Sequence, residues 1–114
     1  MSSPRNTVRI PIRIQGNAAV AVATRPIHVD GNPMELHVLV SANNLFELEG
    51  SLDGVNWADL YYDNIVGAYF MTVMNTLAVG YYKVHERPKY VRGLVAIDQN
   101  ATIYYAVLLV KNNQ

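Results

Sequence analysis

Apolar residues recur at every second position along most of this chain. In residues 8–14, for example, valine and isoleucine alternate with Arg9, Pro11 and Arg13. Successive side chains of a β-strand point to opposite faces, so a period of two predicts strands with one buried face. Spacing of the kind that an amphipathic helix needs is hard to find. The sequence therefore predicts an all-β fold.

Turn-forming residues divide the alternating segments from one another. Strands are predicted at 8–14, 18–24, 34–41, 46–51, 57–62, 65–74, 77–85, 89–97 and 102–111. About eight or nine short strands, with a turn roughly every 8 to 12 residues, are typical of an antiparallel β-sandwich. Jelly-roll and immunoglobulin-like topologies both fit this pattern, because strand order is not readable from one sequence.

Three features of these segments predict how the strands are arranged. The pair Gly16-Asn17 suits a tight turn and predicts a hairpin between the first two strands. Pro11 has no amide hydrogen to donate, which predicts that the first strand lies at the edge of a sheet. Residues 102–111 are apolar on both faces, which predicts a strand in the centre of the sandwich or at an interface.

Length and charge limit the possible partners. A chain of 114 residues is predicted to form one domain, at 8–111, preceded by a flexible N-terminal arm at 1–7. Its nine basic and nine acidic side chains cancel, so there is no net positive field to attract nucleic acid. No apolar run approaches membrane-spanning length, and no signal peptide is visible. We therefore expect a soluble protein that has neither nucleic acid nor a membrane as its partner.

No residue pattern indicates a catalytic, metal or cofactor site. Cysteine is absent, and His28, His37 and His85 lie on separate segments without the spacing of metal ligands. Glu47 and Glu49 share a strand face at a separation that glycoside hydrolysis permits. Alternating glutamates are equally typical of the solvated side of a strand. We therefore predict that the chain is not an enzyme and uses no cofactor.

The most specific local pattern is a hairpin turn at residues 51–57. Asp53 and Asn56 suit hydrogen bonds to backbone amides, Gly54 suits a positive φ, and Ser51 and Trp57 frame the turn. With residues 46–50 ahead of it, this segment resembles the hairpin EGSxDGxxW of discoidin-like β-sandwich binding domains. It is also similar to the Asp-box turn of sialidases, but lacks one residue between Asp and Gly. The resemblance implies a structural role for the hairpin.

A wider resemblance covers the chain from Phe46 onward. The 51–57 hairpin, then Pro88-Lys89-Tyr90-Val91-Arg92, then the closing strand at 101–111 are similar to small β-sandwich virion proteins of tailed bacteriophages. The resemblance implies a head decoration or cement protein, or a minor structural component, located in the virion. It also implies the major capsid protein or another virion protein as a partner. If the chain is not viral, the missing signal peptide favours a cytoplasmic location.

Two sets of residues are candidates for an interface. The first is the basic side of the first strand and its arm, formed by Arg5, Arg9 and Arg13. These arginines suit docking on a neighbouring subunit or an acidic surface, and they equally suit protection of an edge strand from unwanted pairing. The second set comprises three tandem pairs, Tyr61-Tyr62, Tyr81-Tyr82 and Tyr104-Tyr105. One ring of each pair is expected in the core and the other outside, where tyrosine favours interfaces but is also simply a good strand former.

Scarce charge and missing catalytic patterns together favour an assembly protein. Charged residues make up only 16% of the chain, against about 25% in an average soluble protein. We therefore expect a non-enzymatic structural protein that forms a homo-oligomer and docks on a larger particle. The alternative is a carbohydrate-binding module, in which Trp57 and Tyr61 or Tyr62 stack on the sugar rings of a glycan.

Overall fold

The structure, a computed structural model, confirms the all-β prediction. It describes residues 6–41, 45–66 and 68–112, with side-chain surroundings for 7–41, 45–63 and 71–111. Eleven strands are present in these ranges: β1 Asn6–Gln15, β2 Val22–Ala23, β3 Ile27–His28, β4 Met34–Val40, β5 Phe46–Ser51, β6 Ala58–Asp59, β7 Tyr61–Val66, β8 Ala68–Val73, β9 Gly80–Lys83, β10 Tyr90–Val95 and β11 Ile103–Asn112. No helix within them is long and apolar enough to cross a membrane.

The strands form two antiparallel sheets and a separate hairpin. Sheet I has the order β1-β11-β4-β9, and sheet II has the order β2-β10-β5-β6 with β3 also paired to β10. Strands β7 and β8 pair with each other. The facing sides of sheets I and II bury the core, which includes Ile12, Leu36 and Leu108 from the first sheet and Phe46 and Val91 from the second.

The two sheets are in close contact at Gly93 on β10. A Cβ atom at this position would lie 3.1 Å from Ile12 Cγ2, 3.1 Å from Ile14 Cδ1 and 3.2 Å from Phe46 Cε1. These distances leave no room for a side chain, because packed interiors have few voids. The absent side chain therefore lets β10 lie directly beneath β1.

The predicted hairpin between the first two strands is wrong. Strand β1 pairs with β11 along its whole length, from Asn6 opposite Asn112 to Gln15 opposite Ile103. Strand β2 pairs instead with β10 in the other sheet, and the predicted strand at 18–24 shortens to two residues. The pair Gly16-Asn17 begins a crossover between the sheets. Within this connection, Asn17 Oδ1 accepts hydrogen bonds from the backbone N–H groups of Ala19 and Val20.

Other boundaries also differ from the predictions. The first strand begins at Asn6, inside the predicted arm, because Asn6 and Thr7 find partners at the end of β11. The predicted strand at 65–74 is divided between β7, which ends at Val66, and β8, which begins at Ala68.

The positions predicted for the first and last strands are confirmed. Strand β1 lies at the edge of sheet I, while β11 lies between β1 and β4. The Gly16 N–H donates to the Thr102 carbonyl, so the even-numbered backbone groups of β1 face β11 and the odd-numbered ones face the open edge. Pro11 therefore removes a donor from the open edge, where its missing N–H disrupts no bond of the sheet.

Candidate functional site

The side of sheet I that faces away from the core carries most of the candidate interface residues. The strand alternation turns Ile12, Leu36, Tyr82 and Leu108 inward. Their neighbours therefore point outward and form a surface that we call the outer face. It consists of Arg9, Pro11 and Arg13 from β1, Glu35 and His37 from β4, Tyr81 and Lys83 from β9, and Ile103, Tyr105, Val107 and Leu109 from β11.

The register aligns these residues in rows across the sheet. Pro11 lies opposite Val107, Val107 opposite His37, and His37 opposite Tyr81. The rings of His37 and Tyr81 stack with 4.3 Å between centroids and 13° between planes. Neighbours across a sheet are close enough for such contacts to stabilise the strand pairing. The central row is thus a continuous apolar and aromatic band that crosses all the strands of sheet I.

Large apolar groups of the outer face remain accessible at its margins. Val107 and Leu109 are only 8% and 6% exposed, because the side chains of the flanking strands cover them. Tyr81, however, is 63% exposed and Ile103 is 40% exposed. A partner would therefore contact mainly the exposed aromatic and aliphatic side chains at the margins, because the central residues are largely covered.

Positive charge lines the β1 side of the outer face. Arg9 and Arg13 are exposed there, and neither has an ion-pair partner among the described residues. On the opposite side, Glu35 lies opposite Lys83, and its Oε2 is 3.9 Å from Lys111 Nζ. The two arginines, like Lys83 on the far side of this face, are therefore free to meet an acidic partner.

The other predicted interface residues lie elsewhere. Arg5 lies outside the described residues. Tyr61 is exposed on β7, and its carbonyl accepts the His85 N–H just beyond the end of β9. Tyr62 and Tyr82 are partly buried against the core and meet edge to face, with 4.9 Å between ring centroids. Tyr104 is fully buried. One member of each pair thus points inward, as the alternation of a strand requires.

The hairpin at residues 51–57 is held together by the Asp53 carboxylate. Asp53 Oδ1 accepts hydrogen bonds from the backbone N–H groups of Val55 and Asn56, both at 2.8 Å, and from the Ser51 hydroxyl at 2.9 Å. Its Oδ2 accepts one from Asn56 Nδ2 at 2.7 Å, and Gly54 has a φ of 78°. These donors, the backbone ones first, hold the pKa of Asp53 far below its ordinary value. This carboxylate is therefore committed to the turn.

Trp57 follows the turn and lies against sheet II. The guanidinium of Arg92 on β10 lies 4.5 Å from the centre of the indole ring, within the range of a cation–π interaction. Arg92 Nε also donates to Glu49 Oε1 at 2.8 Å. One face of the indole is thus covered by a cation that is itself paired.

Three carboxylates come together beside this contact. Oxygen atoms of Glu47, Glu49 and Asp59 lie within 4.8 Å of one another. Burial raises the pKa of Glu47, and the nearby charges of Asp59 and Glu49 raise it further. Arg92 compensates one of these charges through Glu49. The cluster is a local accumulation of negative charge that the sequence only half revealed, since Asp59 joins it through the pairing of β6 with β5.

A buried carboxylate is the main feature that the sequence did not reveal. Asp98 is 1% exposed and accepts hydrogen bonds from the backbone N–H groups of Asn100 and Thr102 and from the Tyr104 hydroxyl. Burial acts to raise its pKa, but the backbone donors and Tyr104 outweigh burial, so the pKa is lowered. Burial, and then the contact with Asp98, raises the pKa of Tyr104 to about 12. Asp98-Gln99-Asn100 has the composition of a local turn, but nothing in that pattern indicates that Asp98 is buried.

Known proteins do not supply an assignment. No protein-family model matches this chain, and neither a curated protein nor a solved structure matches it.

A cleft lies beside the 51–57 hairpin, apart from the outer face. It has a volume of about 490 Å³ and lies between the hairpin and residues 86–88. Leu60 and Pro88 form apolar parts of its wall, while Asp59, Glu86 and Arg87 supply charge. Asp53 also lines the cleft, but its oxygens are engaged in the turn. This cleft offers space for a small polar ligand.

Proposed function

We propose that this chain is a non-enzymatic structural protein that self-associates and docks on a larger particle through the outer face. The class that we propose is the capsid decoration or cement protein of tailed bacteriophages, which the sequence resembles. One observation carries the proposal. Arg9 and Arg13, Tyr81 and Tyr105 come from three strands that are distant in sequence, and they share the outer face of sheet I.

The chemistry of this surface supports an interface. Tyrosine and arginine are enriched where proteins meet, because they combine a large contact area with hydrogen bonding. The stacked pair His37–Tyr81 is already ordered, so its burial costs little further side-chain entropy. The arginines at the margin favour a partner with acidic groups and accelerate encounter with it.

The open edge of sheet I is unsuited to pairing with a strand of a partner protein. This favours docking through the side chains of the outer face. A partner strand that joined β1 would need a donor from each odd-numbered residue of its open edge, and Pro11 has none. Arginines flank Pro11 on both sides of this position, and charged residues at an edge discourage pairing with another chain. The contact that we propose therefore uses side chains of the outer face and involves no strand pairing between subunits.

Size-exclusion chromatography with light scattering tests this proposal. We expect the unmodified protein to form an oligomer or to co-migrate with a particle, and the double variant Arg13→Glu/Tyr81→Ser to shift to monomer. Val55→Ser is the matched control, because it removes an exposed apolar side chain from the 51–57 hairpin, which belongs to sheet II. A strict monomer at high micromolar concentration that binds no particle would refute the proposal, as would equal effects of the two variants.

A carbohydrate-binding module is the second candidate, and the cleft beside the hairpin is the observation that favours it. Asp59, Glu86 and Arg87 line that cleft and can bind sugar hydroxyls. Because Arg92 covers one face of Trp57, a sugar ring would have to stack on the other. Retardation on polysaccharide affinity gels, lost in a folded Trp57→Ala variant, would favour this candidate over assembly.

A further inference from the structure

A second, smaller pocket lies at one end of sheet I, apart from the cleft beside the hairpin. It has a volume of about 270 Å³ and forms where β4 begins and where β9 and β11 end. Met34 and Val84 contribute buried apolar surface to its wall. An apolar wall keeps water away and strengthens the interaction of charged groups across the pocket.

Cations are concentrated around this pocket. Lys83, Arg87 and Lys111 all line it, three of the nine Lys and Arg residues in the chain, and His85 lines it as well. The carboxylates of Glu35 and Asp63 are the acidic members of the lining. With His85 neutral, the three full positive charges exceed the two negative ones.

Both carboxylates are already engaged by cationic or ionisable partners. Glu35 Oε2 lies 3.9 Å from Lys111 Nζ, and Asp63 Oδ1 lies 2.7 Å from His85 Nδ1. Lys83 and Arg87 are exposed at the pocket, and neither has an ion-pair partner in the described parts of the chain. The pocket therefore offers two uncommitted cations beside an orientated imidazole.

The contact with Asp63 defines what His85 can offer. A carboxylate that accepts the Nδ1 proton holds the ring in one orientation and leaves Nε2 for another group. The His85 backbone N–H also donates to the Tyr61 carbonyl at 2.7 Å, which anchors the residue to β7. In the neutral ring that donates its Nδ1 proton to Asp63, Nε2 is an acceptor, so Lys83 and Arg87 are the donors that face the pocket.

We propose that this pocket binds a small oxyanion of the phosphate or carboxylate type. Arg87 presents a planar fork of N–H donors that matches two oxygens of such a group, and Lys83 supplies a point charge. The His85 ring lines the same pocket and reports on its occupation. The proposal concerns a ligand site and is independent of whether the outer face mediates assembly.

Nuclear magnetic resonance titration with inorganic phosphate tests the proposal, with sodium chloride replacing phosphate at equal ionic strength in the reference. We expect saturable shifts of the His85 ring and of the Lys83 and Arg87 amides that share one dissociation constant. Lys83→Ala and Arg87→Ala should each weaken binding about tenfold, as the loss of a charge-assisted hydrogen bond predicts. Arg25→Ala, which removes an exposed charge away from this pocket, should leave binding within about twofold.

A parallel titration with acetate distinguishes the two types of oxyanion. Saturation at a lower concentration of phosphate than of acetate would identify a phosphate site, and the reverse order a carboxylate site. Since Lys83 and Arg87 are exposed, both variants should fold, which their unfolding curves verify. Shifts that do not saturate, or binding that is equal in the Arg25, Lys83 and Arg87 variants, would overturn the proposal.

Discussion

The hydroxyl of Tyr104 donates a hydrogen bond of 3.1 Å to Oδ2 of Asp98 in the interior of the protein. Asp98 belongs to the turn between β10 and β11, and Tyr104 is the second residue of β11. A Cβ atom on Gly16 would lie 2.7 Å from the same Oδ2, so the crossover after β1 also packs against this carboxylate. The Asp98–Tyr104 pair therefore links the end of β1, where the chain leaves sheet I, to the start of β11, where it returns to that sheet.

Tyr104→Phe should destabilise the protein by about 1 kcal/mol, the usual net contribution of one hydrogen bond. The ring stays in place and the Asp98 carboxylate retains its backbone donors, so no larger loss is expected. Urea unfolding at neutral pH measures the effect. Tyr105→Phe, one residue along and on the outer face, is the control and should change the free energy of unfolding little. Equal losses in both variants would contradict the role given to Asp98.

Acid should remove stability that Asp98 contributes. Its pKa is lower in the folded protein than its ordinary value of 3.8, so the folded state binds this proton less readily than the unfolded chain. Such a group stabilises the fold fully above about pH 5, and the contribution is lost as the pH falls through the lowered pKa. Unfolding free energies measured between about pH 6 and pH 2.5 should fall less steeply in Asp98→Asn than in the unmodified protein. Parallel curves would show that Asp98 titrates alike in both states.

Glu47→Gln should have the opposite dependence on pH. The pKa of Glu47 is raised above 4.5, so its ionisation costs stability as the pH rises through the unfolded and then the folded value. We expect the variant to be more stable than the unmodified protein at pH 7, by up to about 1 kcal/mol because the site is half-exposed and screened. The difference should shrink at about pH 4, where Glu47 is largely protonated. Glu86→Gln, outside the cluster, serves as the control in urea unfolding.

Gly93→Ala should destabilise the sandwich by about 1–3 kcal/mol, the cost of adding a methyl group to a packed interior. The added atom would lie 3.1 Å from Ile14 Cδ1, and Ile14→Val removes that atom. The double variant should therefore lose less stability than the sum of the two single variants. Thermal and urea unfolding of all four proteins measure this coupling. Strict additivity would mean that the clash with Ile14 is not what limits the position.

Pro11→Thr should make the protein more prone to aggregate without loss of its fold. Threonine restores a donor on the open edge of β1, and an exposed edge with all its donors invites pairing with other chains. We expect light scattering at high protein concentration to increase, while circular dichroism remains unchanged. Pro26→Thr removes an exposed proline from a connection and should have no such effect. No difference between the two variants would show that Pro11 does not protect the edge.

Local pattern alone predicted much of the fold. Strands β1, β4, β5, β10 and β11 follow from the period of two, because side-chain alternation is a property of each strand. The edge position of β1 follows from Pro11, and the hairpin at 51–57 from the hydrogen-bonding capacity of Asp53 and the permissive backbone of Gly54. These features depend on residues within one turn or one strand, so the sequence contains all that determines them.

Only the tertiary structure decided which strands pair and which side chains meet. Gly16-Asn17 reads as a hairpin turn, yet β1 pairs with β11 across almost the whole chain, because burying both faces of β11 outweighs the preference of a local turn. The same long-range register places Arg13 beside Tyr105 and His37 beside Tyr81. It also buries Asp98 against Gly16. Such contacts depend on the free energy of the whole packed sandwich. They therefore cannot be predicted from any short segment of the sequence.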